Sequence, residues 1–241
     1  MAGIKERIKS YIQSMPTVRF VALGYLLYIV FGWLMLSLPF SQIQGVSAID
    51  NLFISASAVS TTGLVTVNVA EQYTLFGQIV ILLLIQIGGL GYMTFSSFVL
   101  LSFGEELSLM RRDITATVFS IPKRLDIKHF IPKVVIFTFL FELLGALLLL
   151  VIFRMQGIPN AEWNAIFHSV SSFCTAGFST FTNGLESFTG NYPVCIIVMF
   201  LSYIGAMGFI ICIDIADRLI GRTKRISVTS KMILFTTLIL S

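Results

Sequence analysis

The sequence predicts an all-α, polytopic membrane protein, built from parallel repeats of span, short re-entrant loop and span. Three observations predict this. First, 56% of the 241 residues are apolar and only 12% are charged, with a mean hydropathy of +0.91. A soluble domain of this size cannot hide so much apolar surface, so lipid is the expected solvent. Second, residues 20–40, 72–104 and 187–213 carry no formal charge, and residues 134–153 are interrupted only by Glu142. Each run reaches the roughly 20 residues needed to cross about 30 Å of hydrocarbon. Third, a short apolar stretch ending in Thr-x-Gly occurs twice, each time between two of these runs.

In chain order, residues 1–19 hold Lys5, Arg7, Lys9 and Arg19 and read as a cytoplasmic N-terminus. The apolar run that follows lacks a small-residue cleavage pattern, so it reads as a first transmembrane helix and not as a cleaved signal. Residues 20–103 form the first repeat, with its loop at 47–64. A basic linker at 104–133 carries Arg111, Arg112, Lys123, Arg124, Lys128 and Lys133. Residues 134–218 form the second repeat, with its loop at 162–178. Residues 219–241 are a second basic linker and the start of a third repeat, and because they stop within apolar sequence a longer parent protein is expected. Fifteen of the 16 Lys and Arg residues fall in the terminal and linker segments or at their edges; Arg154 is the exception. Segments 41–74 and 155–190 hold the acids Asp50, Glu71, Glu162 and Glu186 and no Lys or Arg. The positive-inside rule therefore makes the basic segments cytoplasmic and the acidic ones external, in a multi-pass protein of the plasma (inner) membrane. The net charge of +4 reflects topology, and the basic clusters show no nucleic-acid-binding module.

The two loops align residue by residue. Asn51-Leu-Phe53-Ile-Ser55-Ala-Ser57-Ala-Val-Ser60-Thr61-Thr62-Gly63 matches Ala165-Ile-Phe167-His168-Ser169-Val-Ser171-Ser-Phe-Cys174-Thr175-Ala176-Gly177 at a constant offset of 114. Downstream, Gly88-Gly89-Leu-Gly91-Tyr92 is echoed by Gly205-Ala-Met-Gly208-Phe209 at offset 117. A repeating unit with an even number of full spans must enter from one side each time, so the copies are parallel. Inverted-repeat transporters need an odd number.

Such a loop cannot expose unpaired backbone to lipid; it must be helical or line a protected aqueous cavity. About 12 helical residues rise about 18 Å, roughly half a bilayer. The chain then has to turn back, and Gly63 and Gly177 supply the backbone freedom. A helix running inward points its partly negative C-terminal carbonyls at the membrane centre. If the residues that follow are extended, their carbonyl oxygens line an axis, as in potassium-selective filters. The expected architecture is thus potassium-channel-like: a pore loop made of pore helix and filter strand. Either tetrapeptide alone is an ordinary loop sequence; the weight lies in its repetition in the same context.

The order of span, loop with Ser-Thr-Thr-Gly, and span with Gln86-Ile-Gly-Gly-Leu-Gly91 resembles the Trk/Ktr/HKT superfamily of potassium transporters. The Ktr-type membrane subunit resembles it most closely, and Phe173-Cys-Thr-Ala-Gly-Phe178 fits as well. The resemblance covers nearly the whole chain. It implies four span–loop–span repeats around one pore, of which this chain holds two, each giving one filter strand with a single glycine. It makes Ser60, Thr61, Thr62 and Gly63, with Cys174, Thr175, Ala176 and Gly177, the ion-binding strands, holding potassium through backbone carbonyls without a covalent cofactor. It further implies a homodimer, a cytoplasmic ring of nucleotide-binding gating subunits of the KtrA type, and sodium as a coupling or activating ion.

Other residues are weighed against plainer roles. Glu142 is costly at membrane depth and so a candidate for transport, yet Gly145 and Ala146 beside it mark a helix-packing surface. Asp50 is placed to cap or flank the first pore helix and to serve an acidic vestibule. His168 reads as a packed, hydrogen-bonded residue. The glycines at 88, 89, 91, 205 and 208 read first as packing devices and second as hinges. Cys174, Cys195 and Cys212 have no metal spacing and read as reduced. Two other function classes remain: a non-transporting scaffold, which should tolerate a changed Gly63, and an intramembrane enzyme, for which the His-Glu-x-x-His and Gly-x-Ser-x-Gly motifs are absent.

Overall fold

A computed structural model describes residues 17–91, 127–208, 211, 218 and 228–240. Every regular element among them is helical: α1 (Thr17–Leu36), α2 (Ala48–Val59), α3 (Val69–Gln72), α4 (Leu75–Leu90), α5 (Ile127–Met155), α6 (Ala161–Phe173), α7 (Tyr192–Ala206) and α8 (Val228–Leu240). Short 3₁₀ turns at Pro39–Ser41 and Glu186–Phe188 join them. α1, α2 and α4 pack against one another, as do α5, α6 and α7, and α4 also touches α5 and α6.

Local chemistry sets the helix limits. Ser47 is the N-cap of α2, its hydroxyl accepting from the Asp50 amide. Asp50 therefore does not cap α2 itself; it lies in the first turn, where its charge suits the helix dipole. Thr74 caps α4 in the same way, accepting from the Gly77 amide. α4 and α7 are shorter than the apolar runs that contain them. α4 has 16 residues and stops before Gly91 at φ +75°, and α7 has 15 and stops just before Gly208 at φ +85°. Residues 92–104 of the first run, and 209, 210, 212 and 213 of the second, lie outside the described residues. Among the described helices, Ile131–Met155 is the one with both the length and the hydropathy to cross a membrane.

The contacts of one helical unit recur in the other. Ser55 on α2 donates to the Ile29 carbonyl of α1 at 2.7 Å, and Ser169 on α6 donates to the Glu142 carbonyl of α5 at 2.6 Å. Each serine passes a glycine, Gly32 or Gly145, whose missing Cβ leaves room for the serine hydroxyl and for a leucine, Leu84 or Leu201. A Cβ at Gly88 would collide with the Val59 carbonyl, and one at Gly205 with the Phe173 carbonyl. These glycines let the helix that follows cross directly over the end of the short helix, so packing is their observed role. Gly91 and Gly208, with positive φ, end their helices instead.

Both short helices bury one face in the same core, α6 along most of its length, while Ile49, Leu52 and Phe53 of α2 stay exposed. Ile54, Ala58 and Val59 of α2 share one apolar cluster with Phe167, Val170 and Phe173 of α6, together with Leu36, Ile81, Leu84 and Ile85. The flanking helices turn large apolar side chains outward, including Leu26 and Leu27 of α1 and Leu140, Leu143 and Leu147 of α5. Helices that are apolar on both faces fit a lipid surround.

Candidate functional site

α2 and α6 end alike. The Thr61 amide donates to Ala58 and the Thr62 amide to Ser57, while the Thr175 amide donates to Ser172 and the Ala176 amide to Ser171. These paired bonds form a Schellman motif, whose left-handed position usually holds glycine. Here threonine holds it in both copies, with Thr61 at φ +50° and Thr175 at φ +53°. A β-branched residue in that region costs about 1–2 kcal/mol, and strain of this kind gathers at functional sites. Two residues later the chain turns again at Gly63 (φ +80°) and Gly177 (φ +72°). The expected strands are therefore not extended from their first residue: Ser60–Thr62 and Cys174–Ala176 close the helix ends, because the orphan carbonyls of the last turn need donors.

The two segments meet. A Cβ on Gly63 would strike the Ala176 carbonyl oxygen and lie 3.1 Å from the Gly177 Cα. Among the described residues, no donor reaches the backbone carbonyls of Ser60–Gly63 or Cys174–Gly177. Eight acceptors that no described residue donates to thus collect at the negative ends of two helices. The hydroxyls of Ser60 and Thr62 pair at 2.7 Å. The two glycines also line a cavity of about 320 Å³, together with Thr66, Asn68, Ser179 and Thr182, among others.

Two hydrogen bonds tie the halves together, the first of them beside this cavity. Asn68 Nδ2 donates to the Thr182 carbonyl at 2.9 Å, and Trp163 Nε1 donates to Gln78 Oε1 at 2.6 Å. Trp163→Phe should lower stability by about 1 kcal/mol, since it leaves a half-buried amide oxygen without its donor. A thermal melt of the detergent-solubilised protein reads this.

Beyond Gly177 the second segment is held by one face of α6. Ser171 Oγ donates to the Phe178 carbonyl, His168 Nε2 meets Ser179 Oγ at 2.8 Å, and Thr180 Oγ1 donates to Asn164 Oδ1. Sequence reasoning read His168 correctly as packed and hydrogen-bonded, and it missed Asn164, Ser179 and Thr180. The spacing of polar residues 164, 168 and 171 along one helix face was the available signal. In the first half, Asp50 bonds Ser47 and Thr66, and those two hydrogen bonds, Ser47's the larger, hold its carboxyl below its ordinary range. Glu162, on the outer side of α6, is held down chiefly by its bond to Arg154, 2.6 Å away.

Glu142 and Asp50 are not brought together. Glu142 is buried, with Oε1 3.8 Å from the Cys174 thiol, so it lies behind the second segment. Asp50 stands at the opposite, N-terminal end of α2. Cys174 and Cys195 are free thiols, and Cys212 lies outside the described residues.

Comparison with known proteins agrees with the helical architecture. Residues 22–239 match the TrkH family, described as a cation transport protein. The chain is 33% identical over 242 residues to the Ktr system potassium uptake protein B of Bacillus subtilis, covering 98% of this chain and 53% of that protein. It is 32% identical to the potassium/sodium uptake protein NtpJ of Enterococcus hirae, covering 100% of this chain and 53% of that protein. The Ktr system potassium uptake protein B of Vibrio alginolyticus is also 32% identical, over 82% of this chain and 44% of that protein. The chain spans about half the length of these relatives, all of which are named as transporters. The paired short helices, the apolar outer faces and these matches together place the chain in the TrkH family of cation transport proteins, within the Trk/Ktr superfamily.

Proposed function

We propose that the chain supplies two of the four filter strands of a potassium-translocating pore of the Ktr type. Gly63 and Gly177 are its filter glycines, and α2 and α6 are re-entrant pore helices of two parallel repeats. The observation that carries this reading is the matched pair of helix ends, where, among the described residues, no protein donor reaches eight carbonyl oxygens and the two glycines touch. Carbonyl dipoles at helix C-termini replace the hydration shell of a monovalent cation without any titratable ligand. One glycine per strand gives fewer stacked rings than a tetrameric potassium channel has, so weaker discrimination follows. Two strands cannot close a ring, so the other two come from further sequence or from a second copy. Asp50, ionised below the ordinary carboxylate range, adds negative potential at the outer mouth. The relatives' names support potassium as the ion, and one of them names sodium beside it; sodium enters the proposal as a coupling or activating ion. A homodimer, a cytoplasmic nucleotide-binding gating ring and a cytoplasmic N-terminus complete the proposal.

The test is rubidium uptake into potassium-loaded liposomes carrying the reconstituted four-strand protein. The expected result is uptake that sodium competes with poorly, and that Gly63→Ser makes non-selective or abolishes while the protein stays folded. Unchanged selectivity in Gly63→Ser, or no monovalent flux at all, would move the scaffold reading to the front.

A further inference from the structure

The two strands are held in different ways, and the difference lies in side chains that never touch an ion. On the second strand the His168 ring is boxed by aromatic rings: it stacks on Phe181 with centroids 4.6 Å apart, and Phe153 and Phe167 meet it edge-on at 6.2 Å and 6.0 Å. Its Nδ1 faces the Asn164 carbonyl at 2.7 Å, an acceptor only, so Nδ1 must carry the hydrogen. In the neutral ring Nε2 is then an acceptor, and the Ser179 hydroxyl donates to it. Ser179 Oγ in turn accepts from the Phe181 amide at 3.0 Å, which closes a local turn. Every hydrogen-bonding site of this pair is directed, with bonds from Ser171 to Phe178 and from Thr180 to Asn164 on either side.

The first strand has none of this at the matching places. Ile54 and Val65 stand where His168 and Ser179 stand, 114 residues later. Ser57, the counterpart of Ser171, has a buried hydroxyl without a partner. The residue after the filter glycine shows the outcome: Phe178 is 2% exposed and Leu64 is 61% exposed. Of residues 64–66, just past Gly63, Thr66 is held by a side chain, Asp50, as Thr180 is held by Asn164.

We propose that His168, acting through Ser179, is a positioning residue that fixes the backbone just outside Gly177. Cation discrimination then depends on the second strand more than on the first. The inference rests on the pore reading above. A carbonyl that stands in for hydration water discriminates by geometry, and a fixed strand resists collapse around a smaller ion where a free strand does not. His168 never contacts the ion; it sets the orientation of the peptides that do.

The experiment measures rubidium uptake against sodium competition in the reconstituted four-strand protein, for wild type, His168→Leu, His168→Gln, Ser179→Ala and the double variant His168→Leu/Ser179→Ala. Leucine fills the ring's space without an acceptor and mimics Ile54 of the first half. The expected result is a loss of rubidium-over-sodium preference of about tenfold in His168→Leu and in Ser179→Ala, with uptake retained. Glutamine places an acceptor near Nε2 and should restore the preference to within about threefold of wild type. The double variant should be no worse than either single one, as expected for two residues acting through one bond. If His168→Leu fails to fold, Ser179→Ala decides, since it removes only a hydroxyl. Wild-type preference in Ser179→Ala, or in a folded His168→Leu, overturns the inference and leaves the pore reading intact. Absence of flux in the wild type removes the pore reading and the inference with it.

Discussion

Gly205→Ala is expected to lower stability by about 3 kcal/mol, at the upper end of what overpacking costs. A Cβ there would land on the Phe173 carbonyl oxygen, a backbone atom at the end of α6 that no rotamer change can move. Either α7 must withdraw from the end of α6 or the Schellman turn must open, and the second displaces Cys174–Gly177. The check is a thermal melt with tryptophan or size-exclusion readout, with Gly190→Ala as a control because nothing lies within 4 Å of a Cβ built there. An unshifted melt for Gly205→Ala would mean that α7 does not cross α6 at this glycine.

Gly63→Ala and Gly177→Ala should differ although both glycines have positive φ. Left-handed backbone costs an alanine about 1–2 kcal/mol at either site. Only Gly63 adds a collision, with the Ala176 carbonyl; a Cβ on Gly177 finds the Gly63 Cα at 3.5 Å, an ordinary contact. Gly63→Ala should therefore lose about 3 kcal/mol and Gly177→Ala about 1 kcal/mol. Melts of the two variants side by side measure the difference. Equal losses would show that the two segments do not touch at the glycines.

Much of the architecture was legible in the sequence because it depends on composition and period. Apolar run lengths marked the membrane setting, and the offset of 114 exposed the paired short helices, whose limits, Ala48–Val59 and Ala161–Phe173, fall within the expected loops or one residue outside them. Ser47, not Asp50, proved to be the cap, a distinction set by where the backbone enters the helix: Ser47 is still extended and Asp50 is already in the first turn. The glycine echo at 88 and 205 was visible, but its use in packing against a particular carbonyl was not. A glycine looks the same in a string whether it meets a backbone oxygen, as Gly205 does, or turns left-handed at a helix end, as Gly208 does.

By itself, then, the sequence determined the solvent, the helices and the repeated Thr-x-Gly stop, because hydrophobic burial and helix termination are written in neighbouring residues. Only the tertiary structure decided that Gly63 and Gly177 meet, that Glu142 lies behind Cys174, and that His168 reaches Ser179 while Ile54 holds nothing polar. Those contacts depend on where the turns send the chain in space. The left-handed threonines, whose φ runs against their own preference, show packing overruling local propensity at the place where the proposed chemistry lies.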